Sequence, residues 1–168
     1  MQNIRTKRWL SLAAVIAVAV MIFLFSAQEG AESAQLSAGV TEAVLNVVIP
    51  EYRQMPMARK LEYLNIAGFW VRKCAHFTEY ALLGALLTLH LHYVMQGRRF
   101  RRVALRAWCF ATLYACTDEL HQMYVGGRGP AVRDVLIDSA GAMTGAALGV
   151  AAILLWHRFR AKRRFAAG

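Results

Sequence analysis

Residues 72–80 read Arg-Lys-Cys-Ala-His-Phe-Thr-Glu-Tyr, and residues 118–122 read Asp-Glu-Leu-His-Gln. Both stretches are dense in groups that move protons or bind ions, and both adjoin apolar runs. At helical spacing Arg72, Lys73, His76 and Glu79 lie three or four residues apart and share one face. Asp118, His121 and Gln122 share a second face, and Asp134 and Asp138 a third. Tyr80 and Tyr114 are placed to hydrogen-bond into such a set or to pack beside it. At membrane depth an ionisable group costs roughly 2.5–3.5 kcal/mol on insertion scales, so it persists where it is paired or used.

Several chemistries fit these residue types. Two histidines with carboxylates could coordinate zinc, and His76-x-x-Glu79 sets both groups on one helical face. The spacing is not His-Glu-x-x-His, however, and Arg72 and Lys73 oppose a cation, so neither a metal nor a cofactor is expected. In a hydrolase or transferase, His76 or His121 would be nucleophile or base. Glu79, Asp118 or Glu119 would orient it, and Arg72, Lys73 or Arg128 would hold a phosphoryl oxygen. No Gly-x-Ser-x-Gly elbow is present, and Ser139 has no evident partner. In a binding protein the same cations would clamp an anionic lipid headgroup or a lipid-linked molecule. A purely structural network also fits. Glu79, Asp118, Glu119, Asp134 and Asp138 nearly balance Arg72, Lys73, Arg128 and Arg133, with the two histidines able to adjust. Proton-coupled transport is a weaker reading, since four spans without inverted repeats give little on which to build alternating access.

The elements that must position these groups are apolar. The chain has 168 residues, is 58% hydrophobic and carries a net charge of +10. A single membrane domain over residues 1–168 is expected, because a bilayer core takes about 20 apolar residues to cross. Four stretches qualify, at about 9–27, 75–95, 103–122 and 135–156, with a basic tail at 157–168. The third reaches full length only if the Asp118–Gln122 turn continues its helix. The first has no small-x-small cleavage pattern after it and reads as a retained span. Leu36, Val40, Val44, Val47 and Val48 recur at helical spacing up to Pro50. Pro56 can open a second helix through Leu61, Leu64 and Phe69 into the second span. The expected fold is therefore all-α: a four-transmembrane-helix bundle with amphipathic helices in its first outer loop. Gly141, Gly145 and Gly149 continue from Asp138 at four-residue steps, which turns the acids toward the bundle interior and lets a neighbouring helix approach. Cys74, Cys109 and Cys116 have no paired spacing and read as packing residues.

Charge sets the orientation. Arg5, Lys7 and Arg8 precede the first span. Arg98, Arg99, Arg101, Arg102 and Arg106 lie between the second and third. Arg158, Arg160, Lys162, Arg163 and Arg164 follow the fourth, and none of the ten acidic residues lies in these groups. The positive-inside rule places all three groups, and both termini, in the cytoplasm. Residues 72–80 and 118–122 then meet at the outer surface, joined to the fourth span by a loop in which Gly126, Gly127, Gly129 and Pro130 surround Arg128. Trp9, Tyr93 and Trp156 mark the inner interface, and Trp70 and Tyr124 the outer. His90, His92 and His157 read as interfacial residues at the inner side. The basic tail lacks nucleic-acid motifs, so no nucleic-acid partner is expected and anionic lipid is its natural contact.

Three stretches carry a family resemblance: "FSAQ" ending the first span, "RKCAHFTEYALLG" opening the second, and "DELHQMYVGGRGPAVRDVLIDSAGAMTGAALG". Together, from Phe25 to Gly149, they resemble the VanZ-like family. Lys73, His76, Phe77, Glu79 and Tyr80 match its first core motif. Asp118, Glu119, His121 and Gln122 match its second, and Arg128, Asp134 and Asp138 its third. Where the family commonly has Pro-Gly-Arg, this chain has Gly126-Gly127-Arg128. The resemblance implies a small integral protein of the bacterial cell membrane, and the family's name-giving member is associated with teicoplanin resistance. The polar residues gathered by helical spacing, taken with these motifs, give the expected ligand set: Arg72, Lys73, His76, Glu79, Tyr80, Asp118, Glu119, His121, Gln122, Arg128, Asp134 and Asp138. Candidate partners are membrane lipids and a lipid-linked envelope precursor or glycopeptide. The oligomeric state is left open.

Overall fold

The computed structural model describes residues 2–28, 30–96, 99–126 and 131–165. Among them are five α-helices, one 3₁₀ turn and no strand. In order these are α1 (Gln2–Ser26), α2 (Gly30–Val48), the 3₁₀ turn (Tyr52–Gln54), α3 (Met57–Val94), α4 (Phe100–Gln122) and α5 (Val132–Phe165). The all-helical expectation holds. Pro50 lies just beyond α2, and Pro56 caps α3 with φ −57°, since a proline ring bars the preceding chain from staying helical. α4 runs unbroken through Asp118–Gln122, so that turn does belong to the third apolar helix. α3 has 38 residues, about 57 Å of helix, and carries the helix that Pro56 opens straight on into the second apolar stretch as one rod.

α3 is the central element. Its largest interface is with α5; α1, α4 and α2 also pack against it, and α4 packs against α5. Glycine makes the α3–α5 seam close. A methyl group added at Gly141 would overlap the Phe77 carbonyl oxygen, one at Gly145 the Ala81 carbonyl oxygen, and one at Gly84 the Ala142 carbonyl oxygen. The backbones therefore touch where the sequence has its small-residue stripe, an approach that favours dispersion and Cα–H···O contacts. A narrow core of Ile22, Tyr80, Leu83, Ala111, Ala115 and Ala142 fills the space beside the seam.

The outward surface is apolar. Ile16, Val20 and Leu24 of α1, Phe110 and Leu113 of α4, and Leu136, Met143 and Leu148 of α5 are all exposed. Helices α1 and α5 are long and apolar enough to cross a bilayer. α3 and α4 have the length, but Lys73 and Glu79 in one and Arg106, Asp118 and Glu119 in the other interrupt their apolar character. α2 buries Thr41 and Leu45 and leaves Leu36, Val40, Val44, Val47 and Val48 exposed, with Val40, Val44 and Val48 on a groove shared with α3. At the other end Arg8 Nε donates to the Tyr93 carbonyl at 3.0 Å, satisfying one of the open carbonyls that terminate α3.

Candidate functional site

Val103, Ala107, Ala111 and Ala115 form a fully buried stripe at four-residue steps along α4. Asp118, Glu119 and Gln122 extend that face by one turn and are buried as well. The alanines let α4 come close to its neighbours, and the same helical register carries the two carboxylates inward. Each is held by a specific bond. Gln122 Nε2 donates to Ser26 Oγ at 2.7 Å and to Asp118 Oδ2 at 3.3 Å, tying α4 to the end of α1. Glu119 Oε1 accepts the Ala131 backbone N–H at 2.5 Å, just before α5 begins. The first backbone N–H of α2, from Gly30, reaches the Gly126 carbonyl at 3.2 Å. The ends of α1 and α4 and the starts of α2 and α5 thus meet around the middle of α3.

Two contacts join α3 to α5 at this level. Lys73 Nζ lies 2.5 Å from Asp134 Oδ2, and His76 Nδ1 lies 3.9 Å from Asp138 Oδ1. Asp138 is buried and stands one turn before Gly141–Gly145, so the glycine stripe does lead from an inward-facing acid. Phe69 lies under two cations, with Lys73 Nζ 5.3 Å and the Arg133 guanidinium carbon 5.1 Å from its ring centroid. Beside them opens a cleft of about 360 Å³ lined by Arg72, Lys73, His76, Gln122, Arg133 and Asp134, with Gly30 and Ser33 on its α2 side. Lys73 and Arg133 approach Asp134, whereas Arg72 has no carboxylate partner among the described residues. The lining is therefore cationic by more than its one acid can balance.

The remaining candidates fall elsewhere. Glu79, three residues after His76, lines a different groove, an apolar one between α2 and α3 walled by Val44, Ile66, Trp70 and Val71. The ring of His121 packs against Phe23 at 4.7 Å, and His121 does not line the cleft. Tyr80 is wholly buried and its hydroxyl has no hydrogen-bond partner among the described residues. Tyr114 donates to the Ala19 carbonyl at 2.7 Å and so binds α4 to α1. Arg128 lies outside the described residues. Ser139, without an evident partner in sequence, has two: it accepts from Trp108 Nε1 at 3.0 Å and shares a hydrogen bond with Thr112 Oγ1 at 3.0 Å. It is a link between α4 and α5. No group of three His, Cys, Asp or Glu among the described residues is arranged to hold a metal ion. Ser26 and the alanine stripe are the contributors that residue-type reasoning passed over. The regular spacing of Ala107, Ala111 and Ala115 was the available signal.

The described helices carry apolar residues on their outward faces, two of them are long and apolar enough to cross a bilayer, and charged side chains gather around the middle of α3. The chain belongs to the VanZ/LLP1 family, whose model matches residues 11–157. No curated protein and no solved structure matches it. Family and apolar helices together point to a membrane protein.

Proposed function

We propose that residues 1–168 form one VanZ-like domain with four membrane spans, both termini in the cytoplasm and the polar cleft on the outer face. There it binds the anionic headgroup of a cell-envelope lipid or lipid-linked precursor. A contribution to teicoplanin-type glycopeptide resistance would follow from holding such a precursor. The observation that carries this reading is Arg72, a cation without a carboxylate partner among the described residues, in a cleft that also exposes Lys73 and Arg133. An anionic headgroup is the ligand that supplies the missing charge. The distribution of Lys and Arg supports the orientation. A second reading, hydrolysis or transfer at the headgroup, draws on His76 beside Asp138, since a carboxylate near an imidazole can orient it as a base.

Extraction of the purified protein followed by lipid mass spectrometry tests both. The wild type is expected to retain a phosphate-bearing lipid, and Arg72→Gln to retain roughly ten-fold less or lower, as loss of a charge-assisted bond implies. An unchanged lipid supports binding and a cleaved one supports catalysis. Equal retention by both proteins would remove the basis of the proposal. For topology, Ser33→Cys should label from outside intact cells and Arg160→Cys only after permeabilisation, with Cys74, Cys109 and Cys116 replaced by alanine.

A further inference from the structure

A second and larger cavity lies at the other end of the bundle, about 1240 Å³ in volume. His76 and His92 are sixteen residues apart on α3, so the two sites are separated by about 24 Å of helix. Arg5, Lys7 and Arg8 of α1 form one wall, His90 and His92 of α3 another, and His157 of α5 a third. Beneath them Trp9, Leu12, Phe100 and Leu154 make an apolar floor. Among the described residues no Asp or Glu lines the cavity, and all ten acids of the chain fall between residues 29 and 138.

The polar groups are not equivalent. Arg8 is committed to the terminal carbonyls of α3, at Tyr93 and Val94. His90 Nδ1 meets Ser11 Oγ at 3.0 Å. His92 stacks on Phe100 and meets the His157 ring edge to face. These contacts fix the walls. Arg5 and Lys7 are exposed at the mouth with no carboxylate partner among the described residues. A cationic mouth above an apolar floor is complementary to an anionic amphiphile. A free anion would have no use for the floor, and a neutral lipid none for the mouth.

We infer that this cavity is a binding site for an anionic phospholipid, with the phosphate held at Arg5 and Lys7 and an acyl chain along Trp9, Leu12 and Leu154. The inference shares the membrane placement proposed above but none of the residues of the Arg72 cleft, so either can fail without the other.

Native mass spectrometry of the detergent-purified protein titrated with phosphatidylglycerol or phosphatidylcholine tests it. The wild type should prefer phosphatidylglycerol. The double variant Arg5→Gln/Lys7→Gln should lose roughly ten-fold or more of that preference. Lys162→Gln/Arg163→Gln, which removes two tail charges without touching the cavity, should keep it. Equal loss in both pairs would mean general surface charge and overturn the site. Displacement of phosphatidylglycerol by millimolar inorganic phosphate would overturn the lipid assignment in favour of a soluble anion. Leu154→Trp fills the floor and leaves every charge in place. It should also release the lipid, and undiminished retention would refute the role of the floor, including where the charge variant does not fold.

Discussion

Gly145→Ala is the most direct probe of the seam that holds the site. The added methyl would collide with the Ala81 carbonyl oxygen, a backbone atom that cannot rotate away. Restoring ordinary contact requires α3 and α5 to part by more than about 1 Å, and a gap of that size forfeits about half or more of each dispersion contact across the seam. Overpacking of this kind costs about 1–3 kcal/mol, and the backbone obstacle puts this case at the upper end. Alanine returns about 0.5–1 kcal/mol through its better helix propensity, so the net loss should be about 2 kcal/mol. Two other glycines calibrate the measurement. At Gly149 the nearest atom is Thr88 Cβ at 3.0 Å, a modest crowding, so Gly149→Ala should stay within about 1 kcal/mol of wild type. At Gly39, inside α2, nothing lies within 4 Å, and Gly39→Ala should stabilise by about 0.5–1 kcal/mol. Unfolding by dodecyl sulfate in mixed micelles, followed by tryptophan fluorescence, gives all three values. If Gly145→Ala unfolds no earlier than Gly149→Ala, the close approach of α3 and α5 is wrong, and so is the inward aim of Asp138.

Two bonds between helices give further tests. Lys73→Ala and Asp134→Ala, singly and together, should show a coupling of about 1 kcal/mol in the same assay, because both side chains are largely buried; strict additivity would mean that the pair does not act in stability. Trp108→Phe removes the N–H that Ser139 accepts and should cost about 1 kcal/mol; Ser139→Ala on top still gives up the Thr112 bond, so the double variant should cost more than either single change but less than their sum; full additivity would break the proposed link.

Much of the scaffold was readable because its causes are local. Pro50 and Pro56 mark the boundary between α2 and α3, and the spacing of Gly141, Gly145 and Gly149 declares a close helix contact. Asp138 follows from the same stripe. What was hidden depends on which neighbour meets each face. His76 and Glu79 are about 60° apart around α3, close enough to count as one face in sequence. The placement of α2 divides that face, so one lines the cationic cleft and the other the apolar groove. Ser26 and Gln122 are 96 residues apart, and Ser139 finds Trp108 and Thr112 across a helix boundary. No periodicity announces such partners. Composition marks α1 and α5 as able to span, while the charges in α3 and α4 that define the site dilute the apolar signal of those helices.

The single rod of α3 has a mechanical consequence. It meets α5 backbone to backbone from Phe77 to Gly84, about 10 Å of helix, with about 30 Å extending beyond that seam toward Met57 and about 15 Å toward Val94. A rod clamped over such a length cannot turn about one point, so the cleft beside Lys73 and the cavity beside His92 keep a fixed separation.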